Sequence, residues 1–335
     1  MTGELPLDQV DSNALFGEPG KNLQAKKVVM ANNGRLDDDS VCEVKFCTGG
    51  RLSAPEILHF YDYNMLSAQL IAELSAKENH MPTIIKILNT MVVEENFDCG
   101  QLHIEEIKEV LLNVHAKWWS PTLHEFPYYL NPELEDKELT AKENIAYAEL
   151  PIANLVIKPL PEEIREPINI TIGKTSVQFV YPRAQNGVIA DAEMKKKFAV
   201  QEQQYFHVKK ALKEKRGETI PLAELEAYNE YTAERADYKL LLLRAQYICG
   251  VNHEVLETLE ERIEALTNNK SISLRHFEKY NSFLENEGAF GLQDEVKFYS
   301  DVLDKEVLRP FRFRTYTLIL SVGAKRSNPA KISFG

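Results

Sequence analysis

Cysteine is scarce in this chain, which has four cysteines among 335 residues, at positions 42, 47, 99 and 249. Only Cys42 and Cys47 lie close together, and their odd offset within a predicted strand directs the two side chains to opposite faces. This arrangement disfavours both a disulfide and a zinc knuckle, and it is typical of a reducing compartment. The eight histidines form no HxxxH or HExxH pair. The sequence therefore predicts no metal site and no cofactor.

A long apolar run and a basic surplus are also missing. No stretch reaches the roughly 18 apolar residues of a membrane span, and the first residues, MTGELP, lack the pattern of a secretory leader. Asp and Glu number 51 against 39 Lys and Arg, which gives a formal net charge of −12. Because nucleic-acid binding depends on neutralising phosphates, this sign disfavours it. We expect no membrane partner and contacts with other proteins, and a homo-oligomer stays open.

Motifs of catalysis are absent as well. There is no GxSxG elbow, and carboxylate pairs are too abundant among 51 acidic residues to carry information. The string GKTS at 173–176 ends like a phosphate-binding loop, but position 168 is isoleucine where that loop needs glycine. Alternating apolar residues on both sides instead predict a β-hairpin with Gly173 in its turn. The sequence predicts no catalytic residue.

Hairpin and helix patterns together predict an α+β fold that is mainly helical. We expect two halves, each starting with a β-hairpin followed by helices, and extended termini. The first hairpin begins at residue 41 and returns before Pro55, and helices are predicted over 56–77, 81–93 and 104–118. The predicted domains are an N-terminal arm (1–40), a hairpin plus helical domain (41–120), a proline-rich connection (121–166), a second hairpin plus helical domain (167–320) and a C-terminal tail (321–335).

Two segments combine aromatic residues with proline or arginine, WWSPTLHEFPYYLNP at 118–132 and RPFRFRTY at 309–316. Large rigid side chains of this kind are enriched in protein interfaces. The same residues would also serve to pin the connection to the protein's own core, or to form one strand with Phe on one face and Arg on the other. As a partner interface the sequence predicts Trp118, Trp119, Phe126, Tyr128, Tyr129, Arg309, Phe311, Arg312, Phe313 and Arg314.

The order of features resembles a known family. A strand, the TGG turn at 48–50 and a second strand lead to IIKILNTMVVEENFDCGQLHIEEIKEVLLNVHAKWWS at 84–120. Later come TIGKTSVQFVYPR, YKLLLLRAQYICG, LETLEERIEAL and FRFRTYTL. Over residues 41–320 the chain is similar to the baseplate hub and hub-assembly proteins of contractile-tailed bacteriophages. The family offers no catalytic residues to transfer.

The resemblance implies a non-enzymatic structural or assembly subunit of a phage tail baseplate, which acts through protein–protein contacts. Its expected location is the virion tail baseplate, and the host cytoplasm during assembly. The interface would use the N-terminal arm, the aromatic connection and the C-terminal strand and tail. Two alternatives stay open: a transient tail-assembly chaperone that is absent from the mature virion, and an enzyme with an unrecognised carboxylate site.

Overall fold

A computed structural model describes residues 40–74, 80–131, 144–214 and 220–311. The fold is α+β, and its described part contains eight α-helices and five small antiparallel sheets. The chain divides into two units. The split unit consists of the described residues of 25–165 and 283–335, and the inserted unit of residues 166–282. Residues 1–39 of the predicted N-terminal arm and the whole predicted C-terminal tail (321–335) lie outside the described residues.

The split unit begins with a hairpin and three helices. Strand β1 (Val41–Lys45) pairs antiparallel with β2 (Ile57–Tyr61). Helices α1 (Met65–Leu74), α2 (Met81–Asn89) and α3 (Ile104–Trp118) follow. The predicted helix over 56–77 is wrong in its first part, because residues 57–61 pair with β1 and bury every second side chain, as a strand does. The hairpin's return accordingly lies after Pro55.

Two further hairpins and one short strand pair complete the described part of the split unit. The proline-rich connection contains β3 (Thr122–Tyr129) and β4 (Ile145–Pro151), which pair with each other, and the short strand β5 (Ile157–Lys158). Near the end of the chain, β10 (Gly291–Leu292) pairs with β5, and β11 (Glu295–Ser300) pairs with β12 (Lys305–Pro310). The sequence predicts one continuous second domain over 167–320, whereas in the structure the residues from 283 onward belong to the split unit. Pairing of β10 with β5 returns the last strands to the first half of the chain.

The inserted unit combines one sheet with five helices. Strands β6 (Ile168–Ile172), β7 (Thr175–Phe179), β8 (Ile248–Val251) and β9 (Glu254–Val255) form a sheet in that order. The helices are α4 (Ala184–Gln204), α5 (Phe206–Lys213), α6 (Leu222–Tyr247), α7 (Leu259–Asn268) and α8 (Leu274–Glu285). Gly173 turns between β6 and β7 at φ +63°, a value that glycine adopts readily. The predicted hairpin is confirmed at this position.

Helices α4 and α6 form an antiparallel pair with an aromatic seam. Phe198 lies edge-on to Tyr231 and Tyr238, with 5.9 Å between ring centroids in each case, and Tyr205 stacks on Tyr231 at 5.2 Å. The first half of α4 lies beside the last half of α6, where Lys239 Nζ is 2.7 Å from an Asp191 carboxylate oxygen. Among the described residues, no helix combines the length and apolar character needed to cross a membrane.

Candidate interaction surface

The two aromatic segments singled out in the sequence meet in the split unit. The ring centroid of Phe126 lies 5.7 Å from that of Phe298 and 5.6 Å from that of Phe311. Tyr128 contacts Phe298 edge-on at 5.0 Å. We name these four residues the aromatic cluster. Tyr128, Phe298 and Phe311 are at most 5% exposed, and Phe126 is half-buried, so the cluster joins the β3–β4 hairpin to the β11–β12 hairpin.

Polar contacts fix the same two hairpins. The Tyr128 hydroxyl and the Ser300 hydroxyl share a buried hydrogen bond of 2.5 Å. Arg309 donates from Nε to the Tyr129 carbonyl at 2.8 Å and from Nη2 to the Leu130 carbonyl at 3.0 Å. Because the guanidinium binds backbone carbonyls at the end of β3, Arg309 holds its own chain together. Arg312, Phe313 and Arg314 lie outside the described residues.

The tryptophans occupy a different place, at the end of α3. Trp119 lies edge-on to Tyr63, with 6.2 Å between ring centroids, and Lys117 Nζ sits 5.2 Å from the Trp118 ring centroid. Both indoles are half-buried. Of the predicted interface residues, the structure thus brings together Phe126, Tyr128, Tyr129, Arg309 and Phe311, and it places Trp118 and Trp119 apart from them.

The outward faces of the two hairpins carry large side chains that the sequence analysis did not select. Tyr147 on β4 is 58% exposed, and Tyr299 and Leu308 on β11 and β12 are 53% and 54% exposed. Each follows a buried or half-buried neighbour, since successive strand residues point to opposite faces. The alternation in EVKFYS and KEVLRP was the available signal. We use the name outer patch for these three outward residues, Tyr147 on one hairpin and Tyr299 and Leu308 on the other.

The edges of these two hairpins also carry backbone groups. In the described part of the chain, β3–β4 and β11–β12 are each two-stranded sheets. A two-stranded sheet presents N–H and C=O groups along its outer edges, and such edges accept an added strand from another chain. Exposed tyrosines beside an open edge are therefore suited to protein–protein contact.

A serine, a histidine and a glutamate also meet on the β3–β4 hairpin. Ser120 Oγ is 3.0 Å from His124 Nε2, and His124 Nδ1 is 3.3 Å from Glu149 Oε1. The order of groups is that of a hydrolase triad. However, the Thr122 N–H donates to Ser120 Oγ at 3.1 Å, and the His124 and Glu149 side chains are 47% and 77% exposed. Ser120 caps the entry to β3, and an exposed carboxylate orients a histidine weakly.

The most perturbed carboxyl group lies between α3 and the end of β1. Glu109 is 2% exposed and accepts a hydrogen bond from the Cys47 N–H at 3.0 Å. Burial raises the pKa of Glu109 to about 7, and the carboxylates of Glu106 and Glu105 add to the rise. Burial, together with Glu109, also raises the pKa of the Cys47 thiol. A pKa near 7 suits a general base, but a group this enclosed meets no substrate.

Metal ligation finds no support within the described ranges, because no group of three or more His, Cys, Asp or Glu side chains is placed to hold an ion. All four cysteines are free thiols. Searches against protein-family models, curated proteins and solved structures each find no match to this chain.

Proposed function

We propose that the chain is a non-enzymatic structural or assembly subunit of a contractile phage tail baseplate, and that it works through protein–protein contacts. The finer layout belongs to this proposal: two halves, each with a hairpin followed by helices, and extended termini that tie subunits together. The resemblance over residues 41–320 motivates the identity. The contact function is supported by features of the split unit.

The observation that carries the contact function is the outer patch beside open sheet edges. Tyr147, Tyr299 and Leu308 are each more than half exposed, although the same strands bury the aromatic cluster on their inner faces. The inner faces are satisfied by the chain itself, so the outer faces remain for a partner. Tyrosine is among the residues that contribute most to binding in interfaces.

The test is incorporation into virions. A phage carrying the double variant Tyr299→Ser/Leu308→Ser should produce a folded subunit that is lost from purified tails, while the wild-type chain is present in a fixed ratio to other tail proteins. Val255→Ser is the matched control, because Val255 is 57% exposed on β9 of the inserted unit. Quantitative mass spectrometry of purified virions gives the ratio.

Each outcome has a distinct meaning. If the double variant is incorporated like the wild type, the outer patch is not the contact surface. If the wild-type chain is required for tail assembly but is absent from virions, the protein is the transient chaperone. Normal tails from a phage that lacks the chain altogether would contradict a baseplate function of either kind. Removing residues 1–40 should leave a folded core that is incorporated less efficiently.

A further inference from the structure

Each of the two long helices of the inserted unit, α4 and α6, has a solvent-exposed side opposite the seam where they pack together. In the seam, α4 buries Met194 and α6 buries Tyr231. Two residues further along each helix, about 200° around its axis, Lys196 and Ala233 are exposed. Both helices therefore present an outward stripe on the side turned away from the seam.

The outward stripes have the spacing of a coiled-coil contact. On each helix, exposed residues recur at intervals of 4, 3, 4 and 3 places, the repeat that keeps one side of a helix against a neighbour. We name them the basic stripe, on α4 and the start of α5, and the acidic stripe, on α6. The basic stripe is Ala192, Lys196, Ala199, Gln203 and Phe206, and the acidic stripe is Glu226, Glu230, Ala233, Asp237 and Leu240.

The exposed apolar groups on these stripes are large. Phe206 is 66% exposed and Leu240 is 45% exposed. A shallow groove beside Phe206 runs along α4 and is lined by Lys195, Ala199, Glu202 and Gln203. Alanine in the middle of each stripe allows another helix to approach closely. Each stripe thus has one large apolar residue at one end and a small residue at its centre, as a helix-to-helix contact allows.

The basic stripe has one lysine, Lys196, and the acidic stripe has three carboxylates, and these charges are opposite in sign and largely without ion-pair partners in the described part of the chain. Glu226, Glu230 and Asp237 make no ion pair with any residue in the described part of the chain, and Lys196 has only a 3.9 Å contact with Glu193 on its own helix. Basic residues Lys195, Lys209 and Lys210 flank the basic stripe and are exposed. An acidic helix of a second copy would neutralise this side of the pair.

We propose that the basic stripe of one copy binds the acidic stripe of a second copy of this chain. The register follows from the matched spacing. When the two helices run antiparallel with Ala199 opposite Ala233, Lys196 faces Asp237 and Gln203 faces Glu230. In that register the ends of the stripes also meet, with Ala192 opposite Leu240 and Phe206 opposite Glu226. The contact puts an opposite charge against Lys196 and an amide against Glu230.

The position of the stripes determines the kind of assembly. They lie on opposite sides of the α4–α6 pair, so two copies cannot bury both stripes in a single two-fold contact. The interface is heterologous, and each copy offers one stripe to the copy before it and the other to the copy after it. Such contacts close into a ring where the rotation allows, and otherwise extend as a filament.

A charge swap tests this proposal on the full-length protein. At about 0.01 M salt, where the Debye length is about 30 Å, light scattering of the wild type should give a mass that is a multiple of the 38.3 kDa chain. Lys196→Glu and Asp237→Lys should each weaken association at least 10-fold, because each places like charges in contact. The double variant Lys196→Glu/Asp237→Lys should restore it, and Phe206→Ser should weaken it without a charge change.

Lys279→Glu is the control, since it makes the same charge change at an exposed site on α8. Circular dichroism of each variant reports whether the helices are intact. A wild-type chain that remains at 38.3 kDa at low salt overturns the proposal. Failure of the double variant to associate while its helices are intact also overturns it. Association that Lys279→Glu weakens as much as Lys196→Glu does would show a net-charge effect and would refute the stripe contact.

Discussion

Replacing Glu109 with glutamine should change the pH dependence of stability in the split unit. The carboxyl group is enclosed between α3 and the end of β1, and burial raises its pKa from 4.5 to about 7. Glutamine has nearly the same shape, and its carbonyl oxygen can still accept the Cys47 N–H. Its amide group takes the place of Oε1, which has no hydrogen-bond partner in this buried position. The substitution therefore removes the ionisation and adds a constant cost of about 1 kcal/mol.

The direction of this pH dependence follows from which state of the chain, folded or unfolded, binds the proton of Glu109. Between pH 4.5 and about 7 the folded chain holds the Glu109 proton while the unfolded chain releases it, so stability falls as pH rises through this window. The contribution is fully present below the unfolded pKa and is lost above the folded one. Since one pKa unit corresponds to about 1.4 kcal/mol, the ionised form lowers stability by about 3 kcal/mol at high pH. The stability of Glu109→Gln relative to wild type should rise by that amount between about pH 4.5 and pH 8.

Urea unfolding followed by tryptophan fluorescence measures this difference in the free energy of unfolding for the split unit, which contains Glu109. The chain has two tryptophans, and both lie at the end of α3, the helix that carries Glu109. Glu295→Gln is the matched control, because it makes the same chemical change at an exposed position of the split unit. Parallel stability curves for the wild type and Glu109→Gln across this pH range would refute the reasoning.

Four further substitutions test the packing and one ion pair. Phe298→Ala should lower the free energy of unfolding by about 3–5 kcal/mol, measured by tryptophan fluorescence in urea, because it empties the centre of the aromatic cluster. Gly291→Ala places a Cβ within 2.4 Å of a neighbouring side chain at φ +97° and should lower the free energy of unfolding by more than about 2 kcal/mol. Gly173→Ala meets no atom within 4 Å and should lower it by only about 1 kcal/mol. Calorimetry measures both. Arg183→Met removes the cationic partner of the largely buried Glu166 carboxylate, which among the described residues keeps only its bond from the Tyr181 N–H, and should lower stability by about 3 kcal/mol, measured by circular dichroism in urea. An unchanged midpoint would contradict the role of this ion pair.

Local features of the fold were predictable where neighbouring residues decide them. The hairpin at Gly173 depends on a turn glycine and on alternation within five residues on each side, and the structure has both strands in register. The pattern of residues 57–61 predicts a helix as readily as a strand, because a short apolar run fits either element. Residues 57–61 form a strand because they pair with β1 and because Phe60 forms a β-bridge with Val92. Neither contact can be read from the local sequence pattern.

The candidate surface was predictable in composition but not in geometry. The sequence points to the aromatic segments at 118–132 and 309–316, yet the hairpins they belong to meet through contacts such as Tyr128 with Ser300, 172 positions apart. No periodicity encodes a pairing at that distance. The sequence does not point to Phe298, which contacts both Phe126 and Tyr128, for this reason. The outward Tyr299 was within reach of the alternation rule once β11 is known to be a strand.

The weak periodicity of α4 and α6 has a physical reason of its own. A helix that buries a single side in its own chain shows one apolar stripe. Helix α4 buries Met194 and Phe198 in the seam and also presents Ala199, Val200 and, just beyond its end, Phe206 to solvent. Apolar residues on two sides of a helix cancel in a single helical period, so the pattern predicts the helices but not which side of each is buried. A helix pair that packs within its own chain on one side and against another copy on the other requires a sequence of this kind.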